Sequence, residues 1–496
     1  MNQITPASDF NAIYKSLNSH WRQLSREYLP LTVNGSMWRF SRQPEDEDPD
    51  QGWKLHVSAT VLSASDVFEA VSPLLRNRRA MFKAPVSLYE LFKLNSGTLY
   101  GYSQVGKFLT VYPRSSDEAI LLARKLSALT RRLPAPSIPF DQRYDSDGCV
   151  YYRYGAFKVL EVEDPSGGEN VYALRDPNGI LVPDKRQSAS FPTWVENPFP
   201  KPHKTIKKIK TCATTPLQTT FKAFEAVAQR GRGGVYKALD LSGSLPRLCI
   251  LKEGRVNGEV GWDGRDGSWR VHHEGRVLET LRGVGVNVPI LYSSFLIDGN
   301  SYIAIELVDG VSLNELLSRR RRRLSIRQVV TYAMGIAKMV AEIHSAGWAW
   351  RDCKPGNIMI TTSGEFRPID FEGACPHDQP DPLPWGTRFF VPPEWDHGFH
   401  GQSRVPEDLY AIGAILHLLL TGTRPGDSES PSKKRRNIPK AVQKIVDSLL
   451  NAGPQRRPQA GTITNRLKRV LQVMNAETNL RNKSVRQRFD LSLGRR

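Results

Sequence analysis

Residues 350–357 read Trp350-Arg351-Asp352-Cys353-Lys354-Pro355-Gly356-Asn357, and eighteen residues past Asp352 comes Asp370, in Ile369-Asp370-Phe371-Glu372. An isolated Arg-Asp pair carries no information. The spacing here does, because it supplies in one order the groups that moving a phosphoryl group requires. Asp352 is a carboxylate to orient an attacking hydroxyl, Lys354 an ammonium beside the transferring phosphate, and Asn357 and Asp370 oxygen ligands for magnesium.

Outward from that loop the same chemistry continues. Cys249-Ile250-Leu251-Lys252 ends a predicted strand and offers Lys252 to the α and β phosphates. Glu274, with Leu278 one helical turn later, is its expected ion-pair partner, Glu279 being a close competitor. Gly231, Gly233 and Gly234 precede Val235-Tyr236-Lys237-Ala238 and keep the last part of a glycine loop, where backbone amides approach phosphates closely. Glu306 completes the expected nucleotide-binding set. Downstream, Pro392-Pro393-Glu394 ends the segment after Asp370, Arg457 is the expected partner of Glu394, and Asp408 opens a wholly apolar helix and is expected to brace the catalytic loop. Together these motifs resemble protein kinases, which implies a bilobal fold, ATP (or GTP) and Mg2+. Retention of Lys252, Asp352, Asn357 and Asp370 speaks against a pseudokinase, and Lys354 two residues past Asp352 speaks against a small-molecule kinase of the aminoglycoside type. Glu372 stands where most protein kinases carry glycine.

With 496 residues the chain exceeds what one hydrophobic core organises, so two or three domains are expected. Residues 1–40 read as a helical lead-in and 43–50 as an exposed acidic loop. Polar and apolar residues alternate over 53–61, which puts Lys54, His56, Ser58 and Thr60 on one face and Leu55, Val57, Ala59 and Val61 on the core face of a strand. Further strands are expected over 107–112, 150–157 and 171–174. Ser115 with Glu118 forms a capping-box pattern opening a helix whose Leu122, Leu126, Leu129 and Leu133 share a face. Residues 191–216 are rich in proline and lysine without apolar periodicity, as in a linker. Beyond them come short strands (234–239, 248–252, 302–307) and then a helix in which Ile326, Val329, Val330, Ala333, Ala337, Val340 and His344 recur at helical spacing up to Gly347. The whole is α+β. The expected domains are 1–200 with its lead-in, a basic linker 201–215, a kinase-like domain 216–475 (small lobe 216–308, large lobe 309–475) and a basic tail 476–496.

Sixty-nine Lys and Arg against fifty Asp and Glu give a net charge of +19, a field that attracts nucleotides, phosphopeptides, acidic peptides and nucleic acid alike. The basic runs at 201–210, 319–323 and 433–436 read as solvated linker or helix faces, and no aromatic residues interleave the arginine run, so nucleic acid is not an expected partner. Five cysteines without a CxxC pair fit reduced thiols in a cytosol. No stretch is long enough for a membrane span, so a soluble, cytoplasmic bacterial protein is expected.

The N-terminal half contains Gly52-Trp53-Lys54-Leu55-His56-Val57-Ser58, Gly106-Lys107-Phe108-Leu109-Thr110-Val111-Tyr112-Pro113, Tyr151-Tyr152-Arg153-Tyr154-Gly155 and Ala173-Leu174-Arg175-Asp176-Pro177-Asn178-Gly179. In these segments, over about residues 35–200, the chain resembles class III lanthipeptide synthetases, and the kinase half continues the likeness to about residue 470. The resemblance implies a kinase that phosphorylates Ser and Thr of a ribosomal precursor peptide and an N-terminal domain that eliminates the phosphate, similar to bacterial phosphothreonine lyases, whose Lys-x-His strand matches Lys54-Leu55-His56. By resemblance His56 is the acid and Lys83 the base, and Lys54, Lys107, Arg143 and Arg153 bind the phosphate. A lysine acts as base only when neutral, so neighbouring cations and desolvation are expected to lower its pKa. The sequence runs only some twenty residues past the expected last kinase helix, whereas the family carries a further cyclase domain. Dehydration without cyclisation is therefore expected, with a leader-bearing precursor as substrate and a separate cyclase or decarboxylase as a partner. The competing reading is a Ser/Thr kinase with an N-terminal regulatory or phosphopeptide-binding domain.

Overall fold

The computed structural model describes residues 6–163, 167, 170–184, 191–200, 219–320, 322–383, 385–394, 403–425 and 431–493, so the basic run at 201–210 and Cys212 lie outside it. The chain divides into two compact units, Met1–His272 with Ser293–Ala304, and His273–Tyr292 with Ile305–Arg496. The first unit thus unites the N-terminal domain with most of the small kinase lobe, where proline and lysine content alone pointed to a break near Pro200.

Seven strands form the N-terminal sheet, in the order Leu31–Thr32, Trp38–Phe40, Met81–Pro85, Leu109–Tyr112, Gln51–Val57, Val150–Ala156, Gln142–Arg143. All neighbours are antiparallel. The second half of the expected helical lead-in supplies two of these strands, and its first half is the helix Pro6–Tyr28. Trp21 from that helix is fully buried against Phe68 and Phe108, at ring separations of 5.1 and 5.4 Å. Alternation in the Gln51 strand sends Leu55 and Val57 into this core at 0% exposure. The strand ends at Val57, however. Ser58 and Thr60 lie in the following loop, buried because Ser58 Oγ donates to the Pro136 carbonyl and Thr60 Oγ1 pairs with Ser63 Oγ.

Ser115 caps the helix Ser116–Leu129 by accepting from Glu118 N, while the Glu118 carboxylate takes Arg114 N, so only half of the capping box forms. Leu122 and Leu126 are buried, but Leu129, at the last turn, is exposed. The acidic loop 43–50 is not merely exposed. Asp48 is 6% exposed and binds Arg42, the Glu45 amide and Arg114, contacts that hold the Asp48 carboxyl well below the usual range. A separate three-stranded sheet, Glu161–Glu163, Asn170–Arg175 and Leu181–Pro183, flanks the domain.

In the kinase half a five-stranded sheet has the order Phe221–Arg230, Gly233–Asp240, Arg247–Gly254, Asn300–Glu306, Leu291–Ile297. The helix Gly267–Gly283 follows the third of these strands in sequence. The large lobe is helical: Ile326–Ser345 carries a full capping box from Ser325 and Gln328, and Val405–Thr421 buries nearly every side chain. Its last helix, Ala460–Leu493, continues through the stretch expected to be a tail. Among the described residues four cysteines are present, all buried thiols. No helix of the described residues is long and apolar enough to cross a membrane.

Candidate active sites

The catalytic loop is held from below by Asp408, which accepts Trp350 N (2.8 Å) and His344 Nε2 (2.9 Å) on one oxygen and Arg351 N (2.6 Å) on the other. Two non-glycine residues in this region adopt positive φ, Arg351 at 70° and Asp370 at 69°. Such conformations cost about 1–3 kcal/mol each and persist where surrounding contacts over-determine them. Here Trp350 Nε1 donates to the Asp370 carbonyl (2.9 Å), and Glu274 Oε1 accepts Phe371 N (3.0 Å). Asp352 then receives Asn357 Nδ2 (2.9 Å), Lys354 Nζ (2.6 Å) and Thr387 Oγ1 (2.8 Å), and Lys354 Nζ also reaches Thr387 Oγ1 (2.9 Å). Thr387 was not legible as a site residue. It lies 35 positions from Asp352, with no motif of its own beyond the following Pro-Pro-Glu.

Glu274 is fully buried, whereas its competitor Glu279 is exposed. Ligand oxygens of Glu274, Asp370 and Glu372 lie within 4.8 Å of one another, a hard-oxygen set that suits a divalent cation, and Asn357, whose Nδ2 is spent on Asp352, keeps Oδ1 for the same purpose. Arg457 forks Glu394, closing the far end of this segment. Glu306, the remaining residue of the expected nucleotide-binding set, is held at the end of its strand. Its carboxylate is forked by Arg367 and also accepts Ile290 N, and its amide donates to the Ile290 carbonyl. In the first unit, Lys252 is 8% exposed, with its Cα paired to Val235 of the glycine hairpin. Gly233 is glycine of necessity, since a Cβ there would lie 1.7 Å from the Glu253 carbonyl oxygen.

The second site is built by strand register. Lys83 pairs with Thr110, Thr110 with His56, and His56 with Tyr151, so one rung joins these residues across neighbouring strands. Paired residues point to one face, which places Lys83 and His56 on either side of Thr110, two strand spacings or roughly 10 Å apart between backbones. Two residues along, Lys54 pairs with Arg153 on the same face. Lys83, Thr110, His56, Lys54 and Arg153, with Lys107, Trp38, Tyr100 and Tyr112, line a cleft of about 410 Å³. Lys83 Nζ sits 4.4 Å from the Trp38 ring centre and Lys54 Nζ 5.6 Å from that of Tyr112. Arg153 also binds Asp184 at 2.5 Å. Arg143 shares the rung but stands on the edge strand, where Nε donates to the Gly148 carbonyl and the guanidinium covers Tyr151; it does not line the cleft.

His56 Nδ1 meets Asp141 Oδ2 at 2.5 Å, and Lys107 Nζ lies 3.3 Å from Asp141 Oδ1. Burial first, then the Lys107 and Lys54 charges, outweigh Asp141 and pull the imidazole pKa down to about 4. Burial pushes the Asp141 carboxyl up, but Lys107, His56 and Arg153 together hold it at about 2. Asp141 thus fixes the ring so that Nε2 is the nitrogen available to a ligand. It was not foreseen, because it stands 85 residues from His56 and only the fold joins them.

Residues 24–209 match the RamC N-terminal domain and residues 255–481 the protein kinase domain. The fold and both sites define a chain that joins a RamC-type domain to a protein kinase domain. The resemblance to the lyase–kinase portion of class III lanthipeptide synthetases stands on these matches, together with 32% identity over 394 residues (76% of this chain) to the probable SapB synthase of Streptomyces coelicolor. The kinase half is also 29% identical, over 265 residues and 49% of this chain, to the serine/threonine-protein kinase PknA of Mycobacterium tuberculosis. It is 29% identical over 210 residues, 38% of this chain, to the 3-phosphoinositide-dependent protein kinase 1 of Arabidopsis thaliana. The chain spans 40% of the synthase, 59% of PknA and 42% of the plant kinase. A protein kinase domain implies ATP and a divalent metal.

Proposed function

We propose that this chain is a peptide dehydratase that phosphorylates Ser and Thr of a ribosomal precursor peptide and then eliminates the phosphate, leaving dehydroalanine or dehydrobutyrine. The observation that carries it is the single sheet rung that flanks Thr110 with Lys83 and His56 above Lys54, Lys107 and Arg153, in a chain whose other half assembles Asp352, Lys354, Asn357 and Thr387. A lone kinase has no use for the first set. In the first reaction Asp352 orients the substrate hydroxyl and Lys354 neutralises charge on the transferring phosphoryl group. Mg2+ held by Asn357 and Asp370 supplies further charge neutralisation when bound.

In the second reaction Lys83, neutral, takes the α-proton, the Cβ–O bond breaks, and His56 Nε2 protonates the departing phosphate oxygen. The cations Lys54, Lys107 and Arg153 hold the dianion. The phosphate's own charge raises the His56 pKa as it binds, supplying the proton at the moment it is needed. Both reactions take place in the cytoplasm in this reading, and the precursor's leader docks on basic surface.

With ATP, Mg2+ and a Ser/Thr-rich peptide encoded beside the gene, each modified residue should lose about 18 Da, and His56→Ala or Lys83→Ala should leave species about 80 Da heavier. Alkylation of peptide thiols in the same samples reads ring closure separately. A kinase with a phosphopeptide-binding domain would leave phosphate on the peptide in wild type, and that result would overturn the dehydratase.

A further inference from the structure

The segment 94–104 has two faces. Leu94, Tyr100 and Gln104 line the phosphate-elimination cleft. Asn95, Ser96, Thr98 and Tyr102 of the same segment meet the tip of the kinase glycine hairpin, inside the same compact unit. Gly231 N donates to the Ser96 carbonyl (3.0 Å), and Arg230 Nη1 donates to Thr98 Oγ1 (3.1 Å). A Cβ on Gly231 would lie 1.6 Å from the Asn95 carbonyl oxygen, so backbone meets backbone with no space for a side chain. Arg255 acts as a clip: one nitrogen donates both to the Tyr102 hydroxyl and to the Arg230 carbonyl (3.1 Å), while another holds Glu253 at 2.8 Å. The Arg255 amide in turn donates to the Arg232 carbonyl at 2.8 Å.

The wall itself is stiff. Asn95 is 1% exposed, and its side-chain amide ties the Ala59 carbonyl (2.9 Å) to Gly106 N (3.1 Å), immediately before the cleft cation Lys107. Apolar contacts extend the junction, since Trp262 packs on Tyr14 (4.8 Å, edge-on) and stacks on Phe92 (6.3 Å). Glycine loops in nucleotide sites work by presenting backbone amides at fixed positions, and a hairpin tip left to solvent would have to be ordered by the nucleotide itself.

We infer that residues 94–104 of the N-terminal domain pre-order the kinase's phosphate-binding hairpin, with Tyr102 and Thr98 as positioning residues for nucleotide binding. The inference rests on the kinase reading of the second half. The hairpin is held in its bound shape before nucleotide arrives, so loosening the wall raises the nucleotide dissociation constant while leaving the elimination cleft's chemistry in place.

The test is calorimetric titration of the full chain with Mg2+ and a non-hydrolysable ATP analogue, comparing wild type with the double variant Thr98→Val, Tyr102→Phe. These substitutions remove two hydrogen bonds and keep side-chain shape. Elimination from a synthetic phosphothreonine peptide, without nucleotide, reports on the cleft. The expected result is a dissociation constant raised about tenfold with elimination within twofold of wild type. Should the double variant melt early, Tyr102→Phe alone is read the same way, at about threefold. Affinity within a factor of two in a folded variant overturns the positioning role. A wild type that binds no nucleotide sinks the kinase reading and this inference with it.

Discussion

At the scale of single residues, the elimination proposed for the N-terminal cleft rests on the His56–Asp141 pair. Asp141→Asn keeps the size of the side chain and removes the charge that fixes the ring. Elimination from a phosphothreonine peptide should fall about 100-fold or more, by analogy with orienting carboxylates elsewhere, while ADP release persists and phosphopeptide accumulates. Mass spectrometry beside a coupled ADP assay reads both, and a loss under threefold would make the pair structural only. The same histidine sets a pH dependence. Its pKa is about 4 in the fold and about 6.5 in an unfolded chain, so between these values the unfolded state binds the extra proton. The stability that comes from keeping the ring neutral is therefore complete above about pH 6.5 and drains as pH falls toward 4, by at most about 3 kcal/mol. From pH 7 down to about pH 5 Asp141 stays ionised in both states and adds nothing. Urea unfolding of the N-terminal domain at pH 7 and pH 5 should show the loss, and His56→Gln should flatten it. Thr387 and Asp141 were both invisible in the sequence for one reason: each acquires its role from a partner brought near by the fold, 35 and 85 residues away.

Elements carry a second kind of prediction. The helix Leu88–Ser96 ends at Gly97, left-handed at φ 68°, where a Cβ would meet Val105 Cγ2 at 2.8 Å. Gly347 is equally left-handed (83°) after its helix, but open space surrounds it. Gly347→Ala should cost about 1 kcal/mol, the conformational part alone, and Gly97→Ala about 2 or more, a difference that thermal melts of the two variants resolve. Most elements were legible where one face is apolar. The helix Ile326–Ser345 runs as its periodicity required, with Val329, Val330, Ala333, Ala337 and Val340 all buried. Legibility failed where that contrast is missing. The strand Phe221–Arg230 buries only Phe221, so it carries no alternation to read, and the sequence offered no strand there. The alternation over 53–61 ran past the true strand end because Ser58 and Thr60 are polar for the loop's own hydrogen bonds, a pattern that mimics a strand's outward face.

Over the whole molecule the positive charge is general, but five basic side chains, Lys54, Lys83, Lys107, Arg153 and Lys158, gather around one cleft. The sulfur atoms follow the opposite rule. Cys149, Cys249, Cys353 and Cys375 are each buried, and burial lifts every one of their pKa values, that of Cys249 to about 11. An enzyme that makes dehydroalanine manufactures an electrophile to which thiolates add readily. Sulfur kept protonated and out of reach would make these positions inert toward the product of the proposed dehydration. Prolonged incubation with a dehydroalanine peptide, followed by peptide mapping, should leave all four unmodified, and a covalent adduct on any of them would contradict that immunity.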